Sequence, residues 1–162
     1  MNSPLIVFVM GVSGSGKTTI GKLLAEKLTC PFYDGDDFHP EANIKKMAEG
    51  HPLNDSDREG WLQRLNQLAI AQNKKGAVIV CSALKEKYRN TLTEGLEDNC
   101  RFVYLKGSMK VIRDRLSQRK GHFMPQELLK SQFETLETPK NALEVDIKQT
   151  PEKIVNSIVK AI

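Results

Sequence analysis

Leu5-Ile6-Val7-Phe8-Val9-Met10 runs without a break into Gly11-Val12-Ser13-Gly14-Ser15-Gly16-Lys17-Thr18. Six apolar residues in a row are too few to span a membrane and read as a strand buried on both faces. The octapeptide that follows fits G-x-x-x-x-G-K-[ST] and lies where a phosphate-binding P-loop must lie, between a strand and a helix. Each residue type has a physical task there. Glycines let the backbone curl until successive N–H groups face one anion, and the next helix points its positive dipole end at the same place. Lys17 would reach the β- and γ-phosphates as a point charge, and the Thr18 hydroxyl would hold Mg²⁺. Residues 11–18 are therefore the expected cradle of a nucleoside triphosphate.

Strand-like and helix-like segments alternate outward from this point, which implies a parallel sheet covered by helices. Strands are expected at Leu5–Met10, Phe32–Asp34, Ala77–Cys81, Arg101–Leu105 and Leu143–Ile147. Helices are expected over Thr18–Leu28, Glu41–Glu49, a segment capped by Asn54 or Asp55, Lys87–Thr93, a segment capped by Ser108, Gln126–Leu136 and a last one opened by Thr150 and Pro151. Trp61, Leu62, Leu65, Leu68 and Ala69 share one face of the third helix, and Ile154, Val155, Ile158, Val159 and Ile162 one face of the last. Five strands with a P-loop after the first make a three-layer α/β nucleotide-binding fold in one domain of 162 residues, with ligands at the carboxyl ends of the strands.

The residues at those ends carry the chemistry. The second strand ends in Asp34-Gly35-Asp36-Asp37-Phe38-His39. Phosphoryl transfer to an alcohol needs one carboxylate near Mg²⁺ and another to orient and deprotonate the attacking hydroxyl. Asp34 and Asp36, two apart in extended chain, would point the same way and divide these tasks; an acidic turn capping the next helix is the plainer alternative. Arg58 stands at a helix start, where the dipole disfavours a cation, so it needs an anion: Asp55 and Asp57, or a substrate carboxylate. Lys85, after the third strand, faces either substrate or solvent. Arg115 and Arg119, four apart on a helix, repel one another unless an anion lies between them, as it would under a lid closing over the γ-phosphate; a solvated basic helix is the alternative.

Several segments together resemble the gluconokinases, small P-loop kinases related to shikimate kinase. They are the P-loop, Asp34 to His39, Asn43 to Met47, Gly50 to Arg58 with Trp61-Leu62, Cys81 to Lys85 with Tyr88-Arg89, Gly121-His122-Phe123-Met124, and Ser131-Gln132-Phe133 with Leu136-Glu137. The resemblance implies transfer of the ATP γ-phosphate to the 6-hydroxyl of D-gluconate, a strand order 2-3-1-4-5, a homodimer and a mobile lid over about 119–139. It assigns Asp34 to the metal, Asp36 to the substrate hydroxyl, Arg58 to the substrate carboxylate and Arg119 to the lid. Lys17, Asp36 and Arg119 are then the catalytic set, Arg115 joins the nucleotide site, and Lys85 and His122 join the substrate site. Adenine would lie near residues 146–150.

Composition narrows the alternatives. A net charge of +4 is spread among interleaved acidic residues, and aromatic residues make up only 6%, a poor supply for stacking bases, so nucleic acid is not the expected partner. The N-terminal apolar run lacks the basic leader and cleavage site of a signal peptide. Three cysteines, Cys30, Cys81 and Cys100, lack metal-type spacing and fit reduced thiols of a cytoplasmic protein.

Overall fold

The computed structural model describes residues 4–118 and 126–162. Among them the chain forms β1 (Ile6–Met10), α1 (Lys17–Leu28), β2 (Phe32–Asp34), a 3₁₀ turn (Gly35–Phe38), α2 (Glu41–Ala48), α3 (Asp55–Ala71) and β3 (Ala77–Val80). Next come α4 (Glu86–Thr93), β4 (Cys100–Lys106), α5 (Met109–Ser117), α6 (Gln126–Thr135), β5 (Leu143–Asp146) and α7 (Pro151–Ala161). The strands form one sheet in the order β2-β3-β1-β4-β5, and every pairing is parallel. This is the strand order implied by the family resemblance.

β1 sits at the centre because it can be covered on both faces. Val7 and Val9 pack with α1 and α7 through Ile20, Leu24, Ile154 and Ile158. Ile6, Phe8 and Met10 pack on the other face with Trp61 and Leu65 of α3 and with Tyr88 and Leu92 of α4. Alternate residues of one strand thus serve two cores, and all five side chains of β1 are fully buried, the pattern of a strand between helical layers. Leu68, Val159 and Ile162 are only half-buried, at the margins of the faces expected for them.

Helix starts follow their capping residues. Asn54 and Asp57 form a reciprocal capping box on α3: Asp57 N donates to Asn54 Oδ1 at 2.8 Å and Asn54 N to Asp57 Oδ2 at 2.9 Å. Ser108 and Thr150 accept from Val111 N and Lys153 N to open α5 and α7. Because all strands run the same way, the chain leaves β1, β2 and β3 on one edge of the sheet, where the expected site residues of their loops gather.

Candidate active site

Immediately after β1 the chain enters the glycine-rich loop. Gly14 and Gly16 have φ of 82° and 93°, in the left-handed region that glycine alone enters freely. Gly14 is also short of space, since a Cβ there would lie 2.9 Å from Leu116 Cγ and 3.1 Å from Ile112 Cγ2; α5 packs directly on the loop backbone. Gly16 caps α1 with no side chain, so nothing competes for the first-turn N–H groups that an anion would use. Lys17 Nζ curls back over the loop and donates to Gly11 O at 3.0 Å and Val12 O at 3.1 Å. The Ser15 hydroxyl is buried with no hydrogen-bond partner among the described residues, a costly arrangement for a polar atom outside a binding site.

The acidic tip of β2 meets this loop. Thr18 Oγ1 donates to Asp34 Oδ2 at 3.3 Å, and Asp34 Oδ1 accepts from Asp36 N at 3.0 Å. The expectation that Asp34 and Asp36 project together from extended chain is therefore corrected: the strand stops at Asp34, which caps a 3₁₀ turn containing Asp36. The two carboxylates nevertheless stay on the loop side. The Asp36 side chain is 86% exposed, so its carboxylate faces solvent, and the protein beneath it desolvates it only from behind. That desolvation comes first, and Asp34 and Asp37 add to it in pushing its pKa up, while Lys17 pulls it down. Cys81, buried just beyond β3, reports the same convergence. Its thiol is pushed up to about 12, chiefly by burial, and it senses the charges of Lys17, Asp36 and Arg58.

The head of α3 contributes Arg58. Its guanidinium donates to Leu53 O at 2.6 Å and to Tyr88 Oη at 3.2 Å, and lies over the Tyr88 ring at 5.4 Å from its centroid. Asp55 and Asp57, the internal anions considered for it, are engaged elsewhere. Asp57 pairs with Lys46 at 2.6 Å. Asp55 takes Lys87, Tyr88 and Lys85, the last at 3.1 Å, and these hydrogen bonds, led by Lys87, hold its carboxyl far below the usual carboxylate range. No carboxylate lies within ion-pairing distance of Arg58 among the described residues. Lys85 is neither free nor simply solvated; it is bound to Asp55 and sits 5.6 Å from the Tyr88 ring centroid.

On the opposite flank of the P-loop lies a cavity of about 390 Å³ lined by Gly14, Ser15, Gly16, Arg115, Ile147, Gln149 and Pro151. This is the neighbourhood expected for adenine. Arg115 donates to Ile147 O, so it braces the segment before α7, and the structure gives it a carbonyl partner where the four-residue spacing suggested a shared anion. Arg119 and His122 lie outside the described residues, and their expected roles with them.

Comparison with known proteins gives this arrangement a family. A model of the shikimate kinase family matches residues 13–162. The chain is 49% identical to the thermoresistant gluconokinase of Escherichia coli (strain K12), over 97% of this chain and 93% of that one. It is 43% identical to a probable gluconokinase of Mus musculus across the whole of both chains. A crystal structure of a gluconokinase from Sinorhizobium meliloti 1021 superposes with a TM-score of 0.88 at 42% identity, covering 99% of this chain and 92% of that one. The chain belongs to the gluconokinase family.

Three features of this gluconokinase site escape a reading of the sequence by motif. Gln132 of α6 reaches across to the P-loop, accepting from Ser13 N at 2.8 Å and donating to Ser13 Oγ at 3.1 Å. Arg89 is buried and donates to Ala83 O at 2.7 Å and Glu137 O at 2.8 Å, tying the loop after β3 to the chain after α6. His39 stacks on Trp61, with ring centroids 4.1 Å apart. Each pairing joins segments distant in sequence, so neither spacing nor periodicity signals it. Their only trace is that Ser131-Gln132-Phe133, Tyr88-Arg89 and Trp61 stand in the segments that resemble the family.

Proposed function

We propose that the P-loop, the acidic turn after β2 and the head of α3 divide the work of phosphoryl transfer among them. As a gluconokinase, the chain phosphorylates D-gluconate at the 6-hydroxyl at the expense of ATP, giving 6-phospho-D-gluconate and ADP. The loop N–H groups of residues 11–18 and Lys17 would neutralise the β- and γ-phosphates, with the base beside Arg115, Ile147 and Gln149. Asp36 would accept the proton of the 6-hydroxyl and aim its oxygen at the γ-phosphorus. Its raised pKa suits that task, since a more basic carboxylate is a better proton acceptor. Arg58 would take the substrate carboxylate as a forked donor, with Lys85 and His122 nearby and Arg119 on a lid spanning about 119–139.

The donor set suits Mg²⁺. Thr18 Oγ1 and Asp34 Oδ2, two hard oxygen atoms 3.3 Å apart, fit an ion that binds through few protein oxygens and takes the rest from phosphates and water. When bound, Mg²⁺ supplies charge neutralisation on the phosphate oxygens. The single observation carrying the whole reading is that Thr18–Asp34 contact, because it joins the phosphate loop to the acidic turn. A homodimer of cytoplasmic location belongs to the same proposal. Among the described residues no helix is long and apolar enough to cross a membrane.

Steady-state kinetics of Asp36→Asn test the assignment. Turnover is expected to fall at least about 100-fold, the scale of lost general-base catalysis, with KM for ATP unchanged. Near-normal turnover refutes the role of Asp36, and faster phosphorylation of shikimate than of gluconate by the parent enzyme refutes the substrate.

A further inference from the structure

His39 is only 8% exposed, and the proposed roles leave it without a task. Its surroundings determine which ring nitrogen carries the proton. The amide nitrogen of Asn43, itself buried, donates to Asp57 O at 2.9 Å and lies 3.2 Å from His39 Nδ1. A backbone carbonyl can only accept, so Asp57 O orients the Asn43 amide with its NH₂ inward. The second N–H of that group then points at Nδ1, which must accept. A neutral ring therefore holds its proton on Nε2, and Nε2 faces Asp36 Oδ1 at 3.9 Å.

Two neighbours, Trp61 on a ring face and Asn43 at Nδ1, hold the ring in this orientation. Trp61 stacks on it at an interplanar angle of 16°, while Trp61 Nε1 donates to Gly35 O at 2.7 Å and so grips the same turn that carries Asp36. Burial, with Arg58 nearby, disfavours a second proton on the ring. The separation of 3.9 Å is one small adjustment from a hydrogen bond, and such contacts tighten when substrate fills a site.

We propose that His39 is a positioning residue: its Nε2–H, fixed by the Asp57–Asn43 relay, engages Asp36 Oδ1 and leaves Oδ2 aimed at the acceptor hydroxyl. The inference rests on the reading of Asp36 as the group that handles this hydroxyl. It adds a relay of four residues, Asp57 O to Asn43 to His39 to Asp36, through which the start of α3 orients the acidic turn.

Two measurements on the full chain decide it. The first is the two-bond ¹H–¹⁵N spectrum of the uniformly labelled protein at neutral pH, with His39 assigned by its loss in His39→Phe. The Nε2–H tautomer is expected, and the Nδ1–H tautomer overturns the proposal. The second is kinetics of His39→Phe and His39→Gln. Phenylalanine keeps the stack on Trp61 but removes both nitrogens, whereas glutamine restores a donor near the place of Nε2. Turnover of His39→Phe is expected to fall about tenfold, as when an orienting partner is removed, with both KM values within about twofold. His39→Gln should recover part of the loss. Full turnover in His39→Phe, equal loss in both variants, or a rise confined to the gluconate KM each overturn the positioning role. Asp36→Asn separates the two readings: if it abolishes turnover while His39→Phe keeps full turnover, only the role of His39 falls.

Discussion

Acid should weaken this fold through His39 in a way that can be isolated. Burial first, and the charge of Arg58 second, lower its pKa from 6.5 to about 4. The unfolded chain takes up a proton on this ring below about pH 6.5, and the folded chain refuses it until about pH 4. Folding stability is therefore intact above pH 6.5, declines as pH falls through that window and levels off below it. At about 1.4 kcal/mol per decade of proton affinity, the full window is worth about 3 kcal/mol, most of which has gone by about pH 4.5. Urea unfolding of the parent and of His39→Phe between about pH 7 and pH 4.5 measures it. Carboxylate titrations common to both proteins cancel in the difference, so the stability gap between them should shift by about 2–3 kcal/mol in favour of the variant as pH falls. A gap that moves by less than about 1 kcal/mol would show that His39 titrates normally and that its burial between Trp61 and Asn43 imposes no charge penalty.

Gly35→Ala places a Cβ 2.5 Å from Val80 O, a backbone atom that cannot swing aside, so stability should drop by about 1–3 kcal/mol in urea melts and turnover should fall with the displaced Asp36; unchanged values refute the close packing of β2 on β3. Gln132→Ala removes both hydrogen bonds to Ser13, and calorimetric ATP affinity is expected to weaken about fivefold, equivalent to about 1 kcal/mol; equal affinity would mean that α6 does not support the P-loop. For Asp55→Asn the sign follows from a depressed carboxyl pKa, which stabilises above the unfolded value of 3.8 and is lost as pH falls through the folded one. The variant should be less stable than the parent at neutral pH, and the gap should close in strong acid; a gap independent of pH refutes the Lys87–Tyr88–Lys85 cluster on Asp55.

Much of this protein could be read in advance because local rules decide it. The apolar run of β1 can only be buried on both faces, the G-x-x-x-x-G-K-T stretch has one productive backbone shape, and Asn54, Ser108 and Thr150 mark helix starts through hydrogen bonds three residues long. Those features fixed in advance the order of elements, the place of the glycine-rich loop and the edge of the sheet at which the candidate site lies. Tertiary structure alone decided the partners. Whether Arg58 pairs with Asp57 or turns to Leu53 O and Tyr88 depended on Lys46, eleven residues before Asp57, arriving to pair with that carboxylate. Whether Asp36 continues a strand or enters a turn depended on Trp61 gripping Gly35 O from 26 residues away. Gln132 found Ser13 across 119 residues. Hydrogen bonds and ion pairs act over a few ångströms of space, and only the packed sheet and helices bring such distant positions within that range.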